Sequence, residues 1–102
     1  MRDLKTVVID ELEELKAVDV LVVDVKGVTT ITDTMVICTG RSSRHLKSIA
    51  DNLVKLVKVA KYPILGVEGK ESDWVLIDLG EIIVHVMLSD AREYYDLEGI
   101  WK

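Results

Sequence analysis

Apolar and polar positions alternate along this chain with two different periods, and the switches between them mark its elements. From about Leu4 to Lys16 the apolar residues Leu4, Val7, Val8, Leu12 and Leu15 recur at helical spacing, with Asp10, Glu11, Glu13 and Glu14 largely between them. This predicts an amphipathic helix with an acidic, solvated side. The β-branched run from Val20 to Val25 predicts a strand, which Lys26-Gly27 punctuates. A second strand is expected from Thr34 to Thr39, and Gly40 breaks it. Ser42 or Ser43 is placed to cap a long helix whose apolar stripe is Leu46, Ile49, Ala50, Leu53, Val57 and Ala60. Lys47, Lys55 and Lys58 fall off that stripe and read as solvated. Tyr62-Pro63 ends this helix, because a residue before proline disfavours the helical region. A short strand from Ile64 to Glu68, a polar turn to Asp73, two further strands, and a helix capped by Ser89 or Asp90 and running to about Leu97 complete the chain.

The segment from Trp74 to Met87 is the most informative. It reads as two strands joined at Gly80-Glu81, with Gly at the first central position of a type II′ turn. That turn pairs Leu79 with Ile82, Asp78 with Ile83, Ile77 with Val84, Leu76 with His85, Val75 with Val86 and Trp74 with Met87. Side chains alternate between faces, and directly paired residues share one. One face is then wholly aliphatic: Val75, Ile77, Leu79, Ile82, Val84 and Val86. The other carries Trp74, Leu76, Asp78, Ile83, His85 and Met87, apolar enough to be sticky and holding three groups that need a polar partner or water. The expected architecture is a single domain over residues 1–102, α+β or mixed α/β. Its mixed sheet of about five strands has helices packed on the aliphatic face and the Trp74 face uncovered.

Composition narrows the function. A chain of 102 residues, 49% hydrophobic, forms a core without disulfides or metal. The net charge of −5 argues against direct, charge-driven binding to DNA, RNA or anionic membrane and suits a basic protein partner. The lone cysteine, Cys38, lies in the apolar run Met35-Val-Ile-Cys38 and reads as a buried thiol in a reducing compartment. The N-terminus has no signal-peptide pattern and no segment approaches a membrane span, so the expected location is cytoplasmic.

Four constellations are candidates for chemistry. Thr39-Gly40-Arg41-Ser42-Ser43-Arg44-His45 sits at a strand-to-helix junction. It reads first as a helix cap with exposed arginines and second as a phosphate cradle, with neither a Walker lysine nor G-x-G-x-x-G. His45 and His85, without matching cysteines, make no structural zinc site. Magnesium catalysis wants two converging carboxylates, and no same-face Asp-x-Asp pair exists on a strand; Asp78 has Leu76 and Gly80 as its same-face neighbours. The aromatics Tyr94, Tyr95 and Trp101, with Leu97 and Ile100, read as pinning the last helix to the body. No catalytic residue, metal ligand or cofactor is assigned.

Asp33 with Met35-Val-Ile-Cys-Thr-Gly40, Ser42-Ser-Arg-His45, Ile49-Ala-Asp51, Leu65-Gly-Val-Glu-Gly69, Asp73-Trp74 and Asp78-Leu-Gly80 through Val84-His-Val-Met87 together resemble the ribosomal silencing factor, or Iojap-related, family. The resemblance runs through nearly the whole chain. It implies a nucleotidyltransferase-like fold and binding to the large ribosomal subunit through ribosomal protein number fourteen. It further implies a block on small-subunit joining when nutrients are short, with large-subunit assembly the role of organellar relatives. Homodimers are also implied for some members, and this face is a candidate for both roles. Against the pattern of that fold's catalytic members, the turn here is Gly40-Arg41-Ser42 and the two acid positions are Leu76 and Asp78, so half the metal cage is missing. The partner-binding residues expected are Trp74, Asp78, His85, Leu76 and Met87, with Glu68 and Asp73 at the edge and Arg41, Ser42, Ser43 and Arg44 as a secondary surface.

Overall fold

The computed structural model describes residues 3–69, 73–96 and 99. Its elements are α1 (Leu4–Glu14), β1 (Val18–Asp24), β2 (Thr34–Gly40), α2 (Ser43–Val59), β3 (Gly66–Glu68), β4 (Trp74–Asp78), β5 (Ile82–Leu88) and α3 (Ser89–Tyr95). The five strands form one mixed sheet in the order β1-β2-β5-β4-β3. Only β2 and β5 run parallel; the other neighbours are antiparallel. The hairpin register is the expected one, with Trp74 opposite Met87, Leu76 opposite His85 and Asp78 opposite Ile83. Leu79 N–H donates to Ile82 O at 2.9 Å, and Gly80 takes the left-handed φ of 86° that a two-residue turn demands.

α1 and α2 pack on the aliphatic side. Leu4, Val8 and Leu12 from α1 and Leu46, Ile49, Leu53 and Val57 from α2 meet Val36, Cys38, Val75, Ile77, Val84 and Val86 from the sheet. Each fully buried Leu or Ile contributes roughly 1.5–3 kcal/mol relative to an exposed one, so this layer holds most of the stability. α2 sits close because Gly40 has no side chain: a Cβ there would lie 2.8 Å from Leu46 Cα. Ser42 is the cap, its Oγ accepting from His45 N–H at 3.1 Å. His45 also ties α2 to the end of α1. Its Nδ1 accepts from Arg41 N–H at 2.9 Å, which leaves Nε2 to donate to Leu15 O at 2.8 Å.

The helix ends depart from the sequence reading. Both α1 and α2 close in a Schellman arrangement with a lysine, Lys16 or Lys61, at the left-handed position glycine usually fills. Ala17 N–H reaches Leu12 O, and Tyr62 N–H reaches Val57 O. α2 thus ends on its own carbonyls before Pro63 acts. α3 begins one residue earlier than a Ser89 or Asp90 cap allows: Leu88 is the N-cap, with no side-chain bond, and Ser89 is already helical.

The larger correction concerns α3. The expectation of helices on one face holds for α1 and α2 alone. α3 crosses to the other side, where Ala91 packs with Val25, Met35, Ile37 and Met87. Arg92 fixes it there by donating from Nη1 to Asp19 O at 2.7 Å and to Thr39 Oγ1 at 3.0 Å. Asp19 lies in a register shift of β1 with φ 50°, which turns that carbonyl out of the ladder. The Trp74 face is therefore half covered rather than bare. Leu97, Ile100 and Trp101 lie outside the described residues.

Candidate docking face

Pleating and register bring the side chains of this face into rows. Glu68, Leu76, His85 and Ile37 lie across β3, β4, β5 and β2 in one row. Trp74, Met87 and Thr39 form the row on one side of it, and Asp78, Ile83 and Met35 the row on the other. The sequence-predicted residues Glu68, Trp74, Leu76, Asp78, His85 and Met87 do share a face, with Asp73 exposed at the start of β4. They do not all reach its surface. Met87 is fully buried and His85 is 5% exposed, so these two support the face rather than meet a partner in this conformation. Trp74, Leu76 and Asp78 are half-buried, and Glu68 is exposed.

Trp74 is committed within the protein. Its indole N–H donates to His85 Nδ1 at 3.0 Å, and its ring lies 4.8 Å from that of Tyr95. Tyr94 stands edge-on to Tyr95 and is 81% exposed. The last helix is thus pinned by Tyr95, as aromatics near a terminus suggest, while Tyr94 widens the open surface. Because indole nitrogen only donates, His85 Nδ1 must accept, and the neutral ring carries its proton on Nε2. Burial keeps the ring neutral by pulling its pKa down to about 4. Nε2 is buried and has no hydrogen-bond partner among the described residues.

One oxygen of the Asp78 carboxylate is engaged locally: Oδ1 accepts from Gly80 N–H at 2.9 Å and so holds the hairpin turn. With Leu76 beside it and one oxygen engaged, the pair resembles no metal cage. Among the described residues no group of three His, Cys, Asp or Glu could hold a metal ion. Arg41, Ser42, Ser43 and Arg44 are exposed at the start of α2, which packs on the opposite side of the sheet, so the structure does not join them to this face. Cys38 lies in the core, where burial pushes its thiol up to about 12. No helix among the described residues is long and apolar enough to cross a membrane.

Two hollows flank Leu76. One, of about 260 Å³, is lined by Glu68, Gly69, Trp74 and Leu76. The other, of about 220 Å³, is lined by Thr29, Ile31, Thr32, Met35, Leu76, Ile83 and His85. The loop residues of the second hollow escaped the sequence reading. The available signal was a pair of apolar residues, Val28 and Ile31, in a stretch with no strand pattern; they are 69% and 73% exposed.

Comparisons with known proteins show the family and the fold. A family model described as "Ribosomal silencing factor during starvation" matches residues 1–102. The ribosomal silencing factor RsfS of Haemophilus influenzae is 48% identical over 90% of this chain and 91% of its own length. Mouse "Mitochondrial assembly of ribosomal large subunit protein 1" is 38% identical over 88% of this chain but 41% of its own length. A crystal structure of a Chromobacterium violaceum protein superposes with a TM-score of 0.92 at 36% identity, covering 98% of this chain and 87% of that one. The family model spans the whole chain and the relatives span nearly all of it, so the protein belongs to the ribosomal silencing factor family.

Proposed function

We propose that this protein represses translation by binding the large ribosomal subunit through ribosomal protein number fourteen, so that its bulk blocks joining of the small subunit, above all under nutrient limitation. The observation that carries the reading is the face itself. Trp74, Leu76 and the loop residue Ile31 offer apolar surface with Glu68 and Asp73 exposed beside it, and among the described residues there is no group that could hold a metal ion. Such a face suits a basic protein, and the net charge of −5 disfavours RNA as the main contact. Trp74 is the anchor through its ring surface, its N–H being already bonded to His85. The protein acts without catalysis or cofactor, in the cytoplasm, away from DNA and membrane.

A role in large-subunit assembly is the second reading, favoured by the printed name of the mouse relative. A homodimer on the same face would compete with the ribosome. The test is co-sedimentation of Trp74→Ala with isolated large subunits. Loss of a central Trp anchor costs about 2 kcal/mol or more, a fall of roughly thirtyfold in affinity. Undiminished binding by a variant with the native circular dichroism spectrum rejects Trp74 as anchor.

A further inference from the structure

Among the described residues one buried side-chain nitrogen, His85 Nε2, lacks a partner, and it points to what the docking face holds. The two bonding directions of an imidazole ring diverge widely, so a ring whose Nδ1 faces Trp74 turns Nε2–H away from it, toward the hollow that His85 lines. No group on its walls accepts from that donor in this structure: the other walls are Thr29, Ile31, Thr32, Met35, Leu76 and Ile83, and the two hydroxyls are engaged elsewhere, Thr29 Oγ1 with Ile31 N–H and Thr32 Oγ1 with Thr34 O. A buried donor left unmade is costly, and a ligand bringing an acceptor removes that cost. On the far side of Leu76 the second hollow has a different chemistry, with the Trp74 ring as a wall and the Glu68 carboxylate at its edge. A cation over an indole face with a carboxylate in reach is favoured there.

We propose that these hollows are paired subsites for one extended segment of the partner protein, a deepening that rests on the docking reading above. An apolar side chain fills the hollow of Ile31, Met35 and Ile83, and a main-chain carbonyl beside it accepts from His85 Nε2–H. Two residues along, a lysine or arginine lies over Trp74 and meets Glu68. The spacing follows from Leu76 being a shared wall one side chain thick, since same-side residues of an extended segment recur every second position. Phosphate is disfavoured because Glu68 lines the hollow beside Trp74, the neighbouring Asp73 is exposed, and no cation among the described residues lines either hollow. Access to Nε2 requires the loop over the hollow to shift; its ends are tied down by Lys26 N–H to Asp24 Oδ1 and Asp33 N–H to Glu81 O, while the backbone bonds of its middle are internal. Val28 N–H and Thr29 N–H donate to Val25 O, and Ile31 N–H donates to Thr29 Oγ1.

The experiment measures binding of the whole protein to isolated large ribosomal subunits, with Ile31→Asp, Glu68→Lys, Glu68→Gln and His85→Phe beside Trp74→Ala. Ile31 and Glu68 are exposed, so their variants fold. Ile31→Asp and Glu68→Lys are each expected to weaken binding at least tenfold. Glu68→Gln is expected to weaken it less and to flatten its salt dependence, and His85→Phe to weaken it about tenfold. If Ile31→Asp and Glu68→Lys bind within twofold of the parent while Trp74→Ala fails, docking stands and the paired subsites are wrong. If Trp74→Ala also binds normally, the docking reading itself has failed. If only folded His85→Phe is unimpaired, the carbonyl contact is wrong. Sedimentation equilibrium separates the remaining occupant: if Ile31→Asp turns a dimer into a monomer without weakening subunit binding, a second copy fills the hollows and the proposal falls.

Discussion

Acid should loosen this protein through His85 before it protonates most carboxylates. The ring is 5% exposed and its Nδ1 accepts from Trp74 N–H. Protonation would place a second N–H against the indole N–H and leave a charge in an apolar setting. Burial accordingly holds the folded pKa near 4, below the 6.5 of an unfolded histidine. Between those values the unfolded chain binds more protons than the folded one. The His85 contribution is therefore complete above about pH 6.5 and is lost as pH falls toward 4. From about pH 7.5 to about pH 5 the two values give a loss of about 2 kcal/mol. With an m-value of roughly 1–2 kcal/mol per molar urea for a chain of this size, the midpoint should fall by about 1–2 M. The assay is urea unfolding at both pH values for the wild type and His85→Phe. Carboxylates act equally in both proteins, so the difference isolates the ring. The wild type should lose about 2 kcal/mol more than the variant. Equal pH dependence in the two would refute the assignment of a buried, neutral, indole-bonded ring.

Three further outcomes follow from the packing. Gly40→Ala drives a methyl against the Leu46 backbone and should cost about 1–3 kcal/mol, read from thermal or urea unfolding; a neutral result would mean α2 does not sit this close. Arg92→Met removes the donor to Asp19 O and Thr39 Oγ1 and should loosen α3, seen as faster amide exchange in Ser89–Tyr95 with the exchange of α2 unchanged. Cys38 should resist alkylation at about pH 8 in the folded protein and react on adding denaturant, because burial keeps the thiol protonated up to about 12.

Much of the fold was legible because the patterns are long and local. The α2 stripe and the Trp74–Met87 hairpin follow from period and a single glycine turn, and the faces then follow from alternation. What was not legible depends on tertiary choices. α3, Ser-Asp-Ala-Arg-Glu-Tyr-Tyr, buries only Ala91, so it has no apolar stripe to say which layer it joins; a single arginine reaching Asp19 and Thr39 helps decide it. Lys16 and Lys61 end helices in a conformation their residue type does not announce. That Trp74 and His85 share a face was readable, but that one bonds the other depends on rotamers. Ile31 is not legible because two apolar residues, Val28 and Ile31, in a stretch with no strand pattern look like nothing until the sheet supplies Leu76 and Ile83 beside Ile31. The same opacity hid the burial of Met87, which alternation places on the docking face and α3 then helps to cover.

The account stands or falls on where the protein goes and what it prevents. Isolated large and small ribosomal subunits should be sedimented separately with the purified protein, and then mixed with it under conditions where they normally join. Binding to large subunits alone, with joining suppressed as the protein saturates them, is the expected result. Joining that proceeds undisturbed on saturated large subunits, or binding to small subunits instead, would contradict it.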